Sequence, residues 1–293
     1  MISELRKLLK KYPNKPWDWR GISRNPNVTM EFIEEDLAKP WDWNEISYNP
    51  NLTIEYIETH PEKLWDWTGI SWKSTTIEYI ETHSEKPWDW DGISWNPNVT
   101  MKYIDAHPEK PWNWYYISIN SKLTTEFIEL HPEKPWNWEG ISCNPNLTME
   151  FIELHPEKPW NWRGISSNPN ITNTDIETHP EKPWDWNGIS WNPNLIMEFI
   201  ELHPDKPWNW TGISWNPNLT MKYVDTHPNK SWDWFRISFN SNITTIDIEE
   251  HPEKPWDWEG ISQNPNLTME FIEAHPEKLW NWIKISRNTF GLL

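Results

Sequence analysis

Apolar residues fall along this chain in two short clusters separated by polar, proline-rich joints, and the arrangement recurs every 24 residues. Taking the first Trp of each Trp-x-Trp pair as position 1, repeats 1 to 12 begin at Trp17, Trp41, Trp65, Trp88, Trp112, Trp136, Trp160, Trp184, Trp208, Trp232, Trp256 and Trp280. Only the step from Trp65 to Trp88 is shorter, at 23 residues, where Trp72-Lys73-Ser74-Thr75-Thr76 lacks one turn residue. Position 2 is always Asp or Asn, positions 6 and 7 are Ile-Ser, and position 17 is Ile or Val wherever a repeat reaches it. Position 3 is Trp throughout, which predicts a structural core of Trp19, Trp43, Trp67, Trp90, Trp114, Trp138, Trp162, Trp186, Trp210, Trp234, Trp258 and Trp282.

Two short helices fit each period. In repeat 6, Thr148 is placed to cap Met149 to His155, with acidic Glu150 and Glu153 favoured near the N-terminus and Pro156 ending the helix. The pattern then predicts a second helix from about Pro159, with Trp162, Ile165 and Ser166 on one inward face. Gly at position 5 in eight of twelve repeats costs about 1 kcal/mol inside a helix. Such a cost predicts either a partly 3₁₀ segment or a large Trp from the adjoining repeat passing over the glycine. The Asn-Pro-Asn run that follows reads as a turn in which Asn bonds its own backbone.

Helices this short are unstable alone, so stacking of neighbours must hold them. The expected architecture is all-α, an α-solenoid forming a single domain over 1–293. An N-terminal half-unit cap covers 1–16, eleven repeats cover 17–279 with 65–87 one residue short, and a partial repeat covers 280–293. Met101-Lys102-Tyr103 recurs 120 residues later as Met221-Lys222-Tyr223, which points to duplication of a five-repeat block. A β-propeller, suggested by Trp-Asp, fails because its blades need about 40 residues or more.

Composition narrows the function. The chain carries 44 acidic against 26 basic residues, a formal charge of −18, so it opposes polyanions such as nucleic acid and suits a partner with a basic surface. No run approaches a membrane span and no secretory segment is read at the N-terminus, so the expected setting is a cytoplasm or a virus particle. The single Cys143 cannot form an intrachain disulfide.

The run Ile141-Ser142-Cys143-Asn144-Pro145-Asn146-Leu147-Thr148-Met149-Glu150-Phe151-Ile152 resembles the leucine-rich repeat variant family, although this chain carries Trp where that family has smaller aliphatic residues. The resemblance implies alternating α and 3₁₀ helices in a right-handed superhelix. The Trp-Asp-Trp and Asn-Pro-Asn-Ile-Thr motifs together are similar to repeat proteins encoded as paralogous sets by giant amoebal viruses. That likeness implies a protein-interaction role, and neither family supplies catalytic residues to carry over.

Candidate chemistry is sparse. Ten His residues, from His60 to His275, share position 20, and one per stacked layer leaves neighbours about 10 Å apart, too far to share a metal ion. They are expected to end the first helix and cap a carbonyl. The acidic positions lack the spacing of a calcium loop, and equivalent carboxylates in every repeat offer no unique glycosidase pair. No catalytic residue, metal or cofactor is therefore expected. Eight of the nine Asn-x-Thr sequons have a structural explanation in the Thr cap.

Positions 4 and 8 vary while their surroundings do not. Their aromatic members, Trp72, Trp95, Trp191, Trp215, Tyr48, Phe239, Tyr115 and Phe235, form the candidate binding surface. The leading expectation is a non-enzymatic scaffold that binds another protein. The alternatives are a structural or virion-associated protein without a discrete ligand and a carbohydrate-binding module.

Overall fold

A computed structural model describes residues 3–73 and 76–291. Part of the shortened turn, Ser74 and Thr75, lies outside the described residues. The chain is an all-helical repeat array of 24 short helices, with no strand among the described residues. It divides into two compact bodies, a terminal one of 1–66 with 219–293 and a central one of 67–218.

In the central body, repeat 6 shows how the sequence makes each element. Helix A, Met149–Leu154, starts where the Thr148 hydroxyl accepts from Phe151 N–H at 3.2 Å, and His155 is its C-cap. Helix B, Trp138–Ser142, starts later than its proline suggests, because Asn137 at position 2 is its N-cap and accepts from Gly140 N–H at 2.8 Å. Position 2 is restricted to Asp or Asn for that reason: both side chains can satisfy an orphan donor of the first turn. The first Trp of each pair consequently precedes the helix instead of belonging to it. Both helix types are α among the described residues, and bonds of 3₁₀ type lie at helix ends, such as Asn144 N–H to Ile141 O and Tyr103 N–H to Thr100 O.

The interior between repeats is partly polar. Ser166 at position 7 is fully buried and its hydroxyl accepts from Asp185 N–H of the next repeat at 2.9 Å. Asn192 at position 9 sends its amide to Ser166 O, Asn168 O and Ile171 O of the preceding repeat, each at 3.0 Å. Its own Oδ1 accepts from Asn194 N–H at 2.8 Å, so the expected Asn turn forms, and the same side chain also ties two repeats together. Burying these amides unpaired would be costly, so the asparagines fix register as well as adding stability.

The tryptophans form a second inter-repeat seam. Trp160 donates Nε1–H to His155 O at 2.9 Å and meets Trp138 of the preceding repeat edge-on, at 5.1 Å and 88°. The Lys158 ammonium lies 5.1 Å from the Trp138 ring centre. Edge-to-face contact suits the ring quadrupoles, and the cation suits the ring face. Position-3 Trp residues are half-buried rather than enclosed, except Trp282.

In the terminal body the first and last repeats pack on one another. The N-terminal helix, Glu4–Lys11, is capped by Ser3 and lies against helix A of repeat 11, Met269–Ala274. Its Leu8 shares a core with Leu267, Phe271, Ile272, Trp282 and Ile285. Helix B of repeat 1, Trp19–Arg24, packs on helix B of repeat 12, Trp282–Arg287, with Asp18 N–H donating to the Ser286 hydroxyl at 3.0 Å. The Asn25 amide donates to Ser286 O at 3.0 Å and Asn288 O at 2.8 Å, while Trp17 meets Trp282 at 5.1 Å and 79°. The N-terminal helix thus takes the place of a helix A beside helix B of repeat 12.

Candidate functional site

Positions 4 and 8 lie one turn apart on helix B and therefore share a face. In the central body this face is aromatic across repeats 3 to 5. Trp72 meets Tyr116 at 5.0 Å and 85° and Trp95 at 6.3 Å, Trp95 meets Tyr116 at 6.4 Å, and Tyr115 meets Tyr116 at 5.5 Å. The structure thus brings together Trp72, Trp95 and Tyr115 of the expected surface. It adds Tyr116, which occupies the position that is Gly in most repeats.

The set differs in burial. The Trp72 Nε1–H donates to the Asp89 carboxylate, at position 2 of the next repeat, at 3.0 Å. Tyr48 makes the equivalent bond to Asp66 at 3.1 Å in the terminal body, where burial first and then Asp66 push its phenol above the ordinary value. Trp95 has Asn113 in that place, and the Asn113 amide donates instead to Asp91 at 2.8 Å. Trp95 stands out from the surface at 41% exposure, whereas Trp72 is half-buried.

Trp191 and Trp215 lie further along the central body. Trp215 is 40% exposed and Trp191 half-buried. The Trp191 ring runs over Gly212, where a Cβ would come within 3.1 Å of its Cε2 atom, and Trp72 lies over Gly92 in the same way, its Cδ1 2.7 Å from such a Cβ. The glycine at position 5 is thus explained by the close approach of the preceding repeat, whose Trp ring lies over Gly92 and Gly212 and whose backbone or serine meets Gly140, Gly188 and Gly260. Tyr115 is 39% exposed, and Tyr48, Phe235 and Phe239 of the terminal body are half-buried.

The other ionisable groups serve the frame. His60 ends its helix and stacks on Tyr56 at 4.1 Å, with Nδ1 3.0 Å from Tyr56 O. A carbonyl only accepts, so Nδ1 carries the hydrogen, leaving Nε2 to face Glu34 of the preceding repeat at 3.4 Å. Tyr103 repeats this arrangement, its phenol pushed up to about 12 by burial and then by Glu81. Lys73 replaces the position-9 asparagine in repeat 3, and burial lowers its ammonium to about 7. Among the described residues no group of three or more His, Cys, Asp or Glu side chains could hold a metal ion.

Where the chain ends meet, a cavity of about 470 Å³ is lined by Arg20, Arg24, Arg287 and Glu45. Its charges are already engaged: Arg20 pairs with Glu45, and Arg287 pairs with Asp18 at 2.8 Å. The sequons are engaged as well, since Asn146 donates to Ser121 O at 2.8 Å and to Leu123 O at 2.9 Å while Thr148 caps helix A. No described helix is long and apolar enough to cross a membrane.

Sequence reasoning missed the carboxylates beside the aromatic face, Asp89 and Asp91. Their signal was present in position 2, always Asp or Asn, and in position 4 one turn before each candidate Trp. No family model matches the chain, and no curated protein or solved structure shows significant similarity to it.

Proposed function

We propose that the array is a non-enzymatic scaffold that binds another protein through the face formed by positions 4 and 8. The observation that carries this reading is the exposure of Trp95 and Trp215 in a chain whose paired tryptophans are held in ring contacts between repeats. Exposed Trp is costly to leave in water, and at protein interfaces it supplies a large share of binding energy. The acidic charge directs the choice of partner toward a basic surface. A partner-binding role is also what the resemblance to the viral repeat proteins implies.

The test is the double variant Trp95→Ala with Trp215→Ala, cross-linked in extract alongside the parent chain. Unchanged far-ultraviolet circular dichroism with loss of the cross-linked species is the expected result. Unchanged cross-linking in the folded variant would reject this face as the binding surface.

A further inference from the structure

We infer that the Trp72, Trp95, Tyr115 and Tyr116 face seats an arginine side chain of the partner protein, a step that rests on the scaffold reading above.

Three observations converge on a guanidinium. The first is charge. Asp91 sits one helical turn before Trp95 on the same face and is exposed. Asp89 lies at the indole edge of Trp72, and Glu139, exposed at position 4 of the next repeat, acts on the Tyr115 phenol after burial and Cys143. The aromatic face is therefore bracketed by carboxylates.

The second is an internal precedent. In the terminal body the Arg24 guanidinium lies 4.8 Å from the Tyr48 ring centre, with its Nη1 3.9 Å from the Glu45 carboxylate. Tyr48 and Arg24 are both position-8 residues, so the chain already places an arginine over an aromatic of this face with a carboxylate beside it. At repeats 3 to 5 the rings and acids recur, but among the described residues no lysine or arginine lies over Trp72 or Trp95.

The third is a contrast within the same body. Trp191 and Trp215 have neutral Asn187 and Thr211 at position 4. They lack the acidic position-4 neighbour that Trp95 has in Asp91, and so define a control site. Arginine suits the charged face better than lysine, because its planar, weakly hydrated head can stack on a ring while its edge donates to a carboxylate.

The experiment uses the full chain titrated calorimetrically with blocked tetra-arginine, tetra-lysine and tetra-glutamate peptides. Tetra-arginine is expected to bind most tightly, and Trp95→Ala and Asp91→Asn are each expected to weaken it about tenfold. Trp215→Ala should leave it unchanged, and Trp95→Tyr should retain most of it. Equal binding of tetra-arginine to the parent and Trp95→Ala chains, or equal weakening by Trp215→Ala, would overturn the proposal. If Trp95→Ala alone abolishes cross-linking in extract while tetra-arginine fails to bind the parent, the arginine seat is wrong and the scaffold reading stands.

Discussion

Two interfaces in this molecule are built alike, although only one joins sequence neighbours. Between repeats 6 and 7, Asn168 donates to Ser142 O at 3.2 Å and Asn144 O at 2.8 Å, Asn161 N–H meets the Ser142 hydroxyl at 2.9 Å, and Trp160 packs on Trp138. Between repeats 12 and 1, Asn25, Asp18 and Trp17 make the same contacts with Ser286, Asn288 and Trp282. The connecting peptide is therefore not what forms an interface. Position-specific side chains form it, and covalent linkage only determines which repeats are offered to each other. The junction differs at its rim, where Arg287 pairs with Asp18, Lys11 with Glu273, and Glu4 accepts from Met269 N–H.

The sharpest way to break the likeness is through the core. Leu8→Ala at the junction and Leu147→Ala in the interior both truncate fully buried leucines, and each should cost about 2 to 5 kcal/mol in denaturant unfolding. Hydrogen exchange should separate them. Leu8→Ala should lose protection in repeats 1 and 12 together, while a wild-type exchange pattern there would mean that the ends are not packed in solution.

The polar ladder offers a finer comparison. Asn25→Ala and Asn168→Ala each strip two buried carbonyls of a donor and lose the same local Asn turn, so each should cost about 1 to 3 kcal/mol. A much smaller loss for Asn25, measured by thermal unfolding, would show that water reaches the junction carbonyls. At the rim, Arg287→Gln removes an exposed ion pair and should change stability by no more than about 1 kcal/mol. That small effect should vanish in high salt, and a larger, salt-independent loss would mean that the arginine stem covering Gly21 matters more than its charge.

The fold was legible because its determinants are local and repeated. Thr before Met-Glu-Phe announces a cap, and Gly at position 5 announces the close approach of the preceding repeat, as Trp191 and Ser190 beside Gly212 show. The position-2 cap was harder to read, because Pro and Trp ahead of it look like a helix start. The Asn25 and Asn192 ladders were hidden for another reason: a turn explains each asparagine completely, and nothing in one repeat reveals that its amide faces the next. The meeting of the ends had a signal that a single end does not disclose. The N-terminal helix has the pattern of a helix A and Trp282–Arg287 that of a helix B, and the two share one core as the helices of a single repeat do. Of the candidate site, the aromatic residues could be named from their variability, but which of them stands exposed depends on packing against the next repeat, which no single repeat discloses.

The asparagine ladder also bears on how the protein ages. A side-chain amide is lost when the backbone nitrogen of the following residue attacks it, and a proline nitrogen carries no hydrogen and cannot complete that ring closure. Eight of the eleven position-9 asparagines, such as Asn25 before Pro26 and Asn192 before Pro193, are followed by proline. The exceptions are Asn120, Asn240 and Asn288, which precede Ser121, Ser241 and Thr289. Conversion of Asn288 would place a carboxylate against Ser262 O and Asn264 O, beside the seam where the chain's two ends meet. Within the ladder such loss is thereby confined to three rungs, one of them at that seam.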